Sequence, residues 1–272
     1  MNTPPVPTAR LSRALHLSVF VIATCGLVYE LLAGAMSSYL LGDSVTQFSL
    51  VIGVYLSAMG AGSWLSRYVE TNLVTRFVEA ELVVALIGGL QAPLLYLGFA
   101  WTPAFRSVLY VLVALTGAFV GLELPLLMRI LQGRDSLRDL VSRVLFLDYA
   151  GALAASLLFP MFLLPQLGML RASLAVGLVN GLVAVWTVLA FELNRPVRRR
   201  LLVAAAVVIG ILGAGLGRAR DIERWIDQQL YTDPVVFAHQ SPYQHLVVTR
   251  DGRDTRLFID GALQFSTCLL YT

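Results

Sequence analysis

The chain has 272 residues, 57% of them hydrophobic and only 14% charged, against roughly 25% charged for an ordinary soluble domain. All 20 basic residues are Arg and none is Lys, and the formal net charge of +3 is scattered, which excludes a concentrated nucleic-acid-binding face. Two Cys and three His are too few and too dispersed for a disulfide framework or a zinc site, so no metal is expected.

Taken in chain order, apolar runs of the length needed to cross a bilayer cover about 15–41, 46–68, 77–100, 105–131, 144–165, 167–191 and 201–217. The last is the shortest, so the count is six or seven. The runs lack the period-two alternation of barrel strands, and backbone polar groups in lipid must bond internally, so each is expected to be a helix. Small residues four apart (Gly53/Ser57, Ala58/Gly62, Gly117/Gly121, Gly151/Ala155, Gly177/Gly181) point to close helix crossings. Twelve Arg fall in alternate short connections and two, Arg106 and Arg171, in the others. The arginine bias therefore places the amino terminus and the loops at 132–143 and 194–200 in the cytoplasm. The side of the tail stays open, since Arg218, Arg220 and Arg224 follow the last run.

Ionisable residues within apolar runs are costly and draw attention as functional groups. Glu79, Glu81, Glu123 and Asp148 fall toward the Arg-rich end, where Arg67, Arg76, Arg129 and Arg143 are expected to pair with them. Glu30 lies nearer mid-depth and is the candidate intramembrane cation contact.

From residue 218 the composition changes. Ile222, Trp225, Ile226 and Leu230 recur at helical spacing opposite charged residues, the pattern of an amphipathic linker helix. The segments PVVFAH, YQHLVVTR and TRLFIDG then read as strands, with Asp251-Gly252-Arg253-Asp254 as a hairpin turn. The expected class is an all-α polytopic membrane bundle with a short carboxy-terminal β-hairpin. Its expected parts are a cytoplasmic segment (1–14), a transmembrane helical domain (15–217) and a linker helix with opening strands (218–272). No P-loop, GxSxG elbow or HExxH motif is present in the sequence.

The segments CGLVYELLAGAMSSYLLGDSVTQFSLVIGVYLSAMGAGSWLSRYV (25–69), GLELPLLMRIL (121–131) and LDYAGALAASLLFPMFLLPQLGMLRASL (147–174) closely resemble the multi-pass region of membrane-bound bacterial polyamine aminopropyltransferases, the spermidine synthase family. The tail LYTDPVVFAHQSPYQHLVVTRDGRDTRLFIDGALQF (230–265) resembles the small β-domain that opens the synthase module. The resemblance implies aminopropyl transfer from decarboxylated S-adenosylmethionine, a co-substrate, to putrescine, giving spermidine without a metal or other cofactor. It implies that Gln244 contacts the thioadenosine ligand and that Gln264 lies near the pocket, with Tyr243 and Asp260 structural. The Rossmann-like domain that carries the family's catalytic residues does not follow residue 272, so this chain is expected to be truncated and inactive alone, with no catalytic residue of its own. The implied setting is the bacterial inner membrane, with lipid and polyamines as partners, no nucleic acid, and an oligomer left open. A polyamine or cation transporter, or a membrane scaffold, is the alternative.

Overall fold

The computed structural model describes residues 9–42, 44–132, 136–240, 245–252, 254–259 and 261–268. Nine α-helices and four strands follow in order among them. They are α1 (Ala9–Leu41), α2 (Ser44–Leu65), α3 (Leu73–Gly89), α4 (Gln91–Trp101), α5 (Phe105–Leu131), α6 (Leu137–Leu158), α7 (Gly168–Ala190), α8 (Arg195–Gly217) and α9 (Ala219–Leu230), then β1 (Val235–Gln240), β2 (His245–Asp251), β3 (Asp254–Ile259) and β4 (Ala262–Ser266).

The class expected from sequence is corrected by this architecture. The carboxy-terminal part is a four-stranded antiparallel sheet in the order β1-β2-β3-β4, so the chain is neither all-α nor closed by a hairpin alone. Five helical stretches, or six if the bent pair α3–α4 counts as one, are long and apolar enough to cross a membrane by length and composition. The upper expectation of seven separate spans exceeds this count, because α6 and α7 run together through a π-helical segment, Phe159–Leu167, in one 54-residue apolar stretch. Pro165 and Gly168, with φ of 72°, interrupt regular geometry within it.

Helix α1 is the axis of the bundle. Leu15, Val19, Ile22, Cys25, Tyr29, Leu32 and Met36, spaced by three or four, are all buried, and α1 packs against α2, α4, α5, α6 and α7. Small residues decide how near the others approach. A Cβ built at Gly62 of α2 would fall on the Ala118 carbonyl of α5, and one at Gly121 would fall on the Met59 carbonyl of α2. Gly151 of α6 lies against Phe20 of α1, where Thr24 Oγ1 also donates to the Gly151 carbonyl at 3.2 Å. Gly177 of α7 lies against Ala85 and Gly89 of α3. Gly53, in the same kind of spacing, faces open space, so periodicity alone does not identify a crossing.

Between α3 and α4 the axis bends by 46°. Pro93 has no N–H to return to the Gly89 carbonyl, four residues earlier, so the helical ladder is broken there. Ser173 of α7 repairs it: its Oγ donates toward the Gly88 and Gly89 carbonyls at 2.8 and 2.9 Å and accepts the Ala92 N–H at 3.3 Å. Gln91 Nε2 donates to the Tyr29 carbonyl at 3.0 Å, tying the bend to α1. The freed backbone groups thus find side-chain partners in a dry interior, where leaving them bare is expensive.

The sheet is a meander. Asp251 pairs with Asp254 across the β2–β3 turn, where Gly252 has a φ of 58°, a conformation a tight hairpin turn requires. The short β4, Ala262–Ser266, is the strand that sequence reading left out; its five residues are mostly exposed and lack a buried alternating face. Asp254 ties the sheet together: its carboxylate accepts from Ser266 Oγ (2.6 Å), the Cys268 N–H (3.1 Å) and Arg256 Nε (2.6 Å). The Ser266 hydroxyl bond, with the Arg256 and Cys268 donors, holds its carboxyl below the usual range. Arg256 also meets Asp233 at 2.6 Å, anchoring the sheet to the segment after α9.

Candidate functional site

Among the described residues, three places carry chemistry. The first lies where helices meet sheet. The amphipathic α9 brings Glu223 and Asp227 toward the start of α7, and Arg171 there meets Glu223 at 2.7 Å. Between the π-helical segment, α7, α9 and β1 a cavity of about 340 Å³ is lined by Tyr96, Arg171, Arg220, Glu223, Asp227 and His239, among others. Burial, with a smaller effect from Glu223, pushes the Asp227 carboxyl up to about 6. Such a cavity offers both carboxylates and guanidiniums to a polar ligand, and it was not legible in the sequence because Arg171 and Glu223 are 52 residues apart.

The second place is the sheet. Gln264, the expected pocket neighbour, is exposed on β4, and its Nε2 lies 3.4 Å from the Ala262 carbonyl of its own strand. The cavity of the sheet, about 520 Å³, is lined by Asp251, Asp254, Arg256, Phe258, Leu263, Ser266 and Cys268. Gln244, the expected thioadenosine contact, and with it Tyr243 and Asp260, lie outside the described residues.

The third place is the bundle interior, where the expected arginine pairing of the acidic residues is corrected. Only Glu79 of that group has arginine partners among the described residues: Arg76 at 2.9 Å and Arg200. Arg67 stacks on Trp64, 4.0 Å from its ring centre, and Arg129 donates to the Ser66 carbonyl at 3.1 Å. Both are thereby drawn to the helix ends, away from Glu81 and Glu123. Those two carboxyls are 0% and 1% exposed, and none of their four oxygens has a hydrogen-bond partner among the described residues. Glu30 is buried on α1 within electrostatic reach of Tyr55, whose hydroxyl donates to the Gly26 carbonyl at 2.7 Å. Asp148 is half-buried on α6. Sequence reading passed over Asn180, a lone amide in the apolar α7, and the Tyr29 hydroxyl; both are fully buried and unpartnered.

A helical bundle joined through an amphipathic helix to a small antiparallel sheet defines a two-part chain. Its relatives are polyamine aminopropyltransferases. The chain is 50% identical over 274 residues to polyamine aminopropyltransferase 1 of Ralstonia nicotianae, covering 98% of this chain and 52% of that protein. It is 46% identical to the polyamine aminopropyltransferase of Leptospira interrogans, covering 94% of this chain and 52% of that protein. It is 40% identical to polyamine aminopropyltransferase 1 of Streptomyces coelicolor, covering 93% of this chain and 50% of that protein. The chain thus spans about half the length of the curated relatives it matches. No family model matches it, and no solved structure matches it.

Proposed function

We propose that this chain is the helical region and the opening strands of the synthase module of a polyamine aminopropyltransferase of the spermidine synthase type. The single observation that carries this reading is the 50% identity that runs through 98% of the chain, across both bundle and sheet. The reaction moves an aminopropyl group from the sulfonium of decarboxylated S-adenosylmethionine to an amine of putrescine. A neutral amine attacks the carbon beside sulfur, so the enzyme must hold the two in line and remove a proton. In this reading Gln244 contributes a hydrogen bond to the thioadenosine, and Gln264 lies nearby. The parts are those read from sequence: 1–14, 15–217 and 218–272.

We place the chain in the bacterial cell membrane, with lipid around the helices and the Arg-rich connections at 132–143 and 194–200 on the cytoplasmic side. This is supported by apolar side chains left on the outer surface of the helices, among them Trp64, Trp101, Phe146, Leu153 and Trp186, each more than half exposed.

The test uses the protein expressed from its complete reading frame. Isolated membranes given putrescine and decarboxylated S-adenosylmethionine should release methylthioadenosine, and Gln244→Ala should raise KM for the nucleotide substrate. Absence of product from folded protein in either membrane or soluble fraction overturns the reading. Recovery of the activity only in the soluble fraction overturns the membrane placement.

A further inference from the structure

We propose that Glu81 and Glu123, with the Tyr29 hydroxyl and the Asn180 amide, form an interior binding site for one desolvated alkali-metal cation. The site stands apart from the aminopropyl chemistry and does not rest on it.

Three helices bring the two carboxyls and the Tyr29 hydroxyl together, and a fourth, α7, carries Asn180. Glu81 is on α3 and Glu123 on α5, two helices packed against each other, and Glu81 and Glu123 lie within electrostatic reach of one another. Tyr29 comes from α1, its ring against Gly88 of α3, and its hydroxyl is within electrostatic reach of both carboxyls, though bonded to neither. Asn180 sits on the face of α7 that presents Ser173 and Gly177 to α3. Ser173 meets α3–α4 at Gly88, Gly89 and Ala92, and Gly177 meets it at Ala85 and Gly89, so the two helices run antiparallel. One turn further along α7, Asn180 lies toward the Glu81 end of α3.

Buried polar groups are nearly always hydrogen-bonded, and each exception calls for a cause. Here both oxygens of Glu81, both oxygens of Glu123, the Tyr29 hydroxyl and both amide atoms of Asn180 are buried and without a hydrogen-bond partner among the described residues. None of these residues is more than 1% exposed. The arginines that could have neutralised the carboxylates are held elsewhere, Arg76 and Arg200 by Glu79 and Arg129 by the Ser66 carbonyl. The unpartnered set is rich in oxygen, which is the donor chemistry of a hard cation.

Packing selects the kind of cation. Backbone-distance crossings at Gly62 with Ala118, Gly121 with Met59, and Gly177 with Ala85 leave no room at these crossings for a ligand carrying an alkyl chain. A magnesium ion keeps most of its water, for which a close-packed interior has no space. A bare monovalent ion fits both limits.

The experiment measures binding of radioactive sodium ion to the purified chain in detergent, with choline replacing sodium at constant ionic strength. Saturable binding should accompany a sodium-dependent rise in Tm. Glu81→Gln and Glu123→Gln should abolish both, while Glu79→Gln should leave both unchanged. If the glutamine variants fail to fold, Tyr29→Phe and Asn180→Ala decide, and each should weaken sodium binding severalfold. Lithium or potassium should displace the label. No saturable binding, binding unaffected by Tyr29→Phe and Asn180→Ala, or displacement by putrescine but by no alkali ion overturns the proposal.

Discussion

The Arg171 guanidinium of α7 and the Glu223 carboxylate of α9 meet at 2.7 Å, with side chains 28% and 32% exposed. This contact crosses from the bundle to the helix that carries the sheet. Glu223→Gln should cost about 0.5–1 kcal/mol, the upper range for a partly exposed pair. Its larger effect should be local: faster amide exchange in α9 than in the wild type, with exchange in α5 unchanged. Equal exchange in α9 of the two proteins would show that the pair does not hold the helix.

Asp227 lies one turn beyond Glu223, and burial raises its carboxyl from 3.8 to about 6. The folded protein therefore binds this proton more tightly than the unfolded chain between about pH 4 and pH 6. Stability from this group is full below the unfolded value and falls as pH rises through 6. Asp227→Asn, which cannot ionise, should remove that slope and raise stability above pH 6 by about 1–3 kcal/mol relative to the wild type. Thermal unfolding between pH 4 and pH 8 measures the difference; parallel profiles would place the carboxyl in a wetter setting than the structure gives it.

Glycines in the helices divide into two groups by what surrounds them. Gly62→Val and Gly121→Val force α2 and α5 apart, because a Cβ at either would fall on a carbonyl of the facing helix. Each should cost about 3 kcal/mol or more, at or above the top of the range for overpacking. Gly53→Ala and Gly60→Ala, which meet open space, should be neutral or slightly stabilising. Yield of monodisperse protein and its Tm separate the groups.

Ser173→Ala leaves the Gly88 and Gly89 carbonyls and the Ala92 N–H without their side-chain partner at the α3–α4 bend. Stranding buried polar groups costs about 1–3 kcal/mol. Ser173→Thr, which keeps the hydroxyl, should recover part of that loss. Equal Tm for the alanine and wild-type proteins would mean that the bend is held by Pro93 and packing alone.

What the sequence by itself determined is what depends on neighbours along the chain. Apolar runs too long and too uniform for a soluble domain made residues 15–217 mainly helical, and amphipathic spacing announced α9. The Asp251–Asp254 turn followed from local chemistry, since Gly252 takes a positive φ that few other residues tolerate. Only the tertiary structure decided which small residues meet. Gly53 and Gly121 stand in the same four-residue spacing, yet one faces open space and the other a carbonyl. Tertiary structure also separated Glu79, which has two arginines, from Glu81, which has none, although they are two residues apart. Two positions along a helix turn a side chain by about 200°, so Glu79 faces outward while Glu81 faces the interior. Which arginine lies across the gap is set by helices more than a hundred residues away, as with Arg200 and Glu79, and no local pattern encodes that approach.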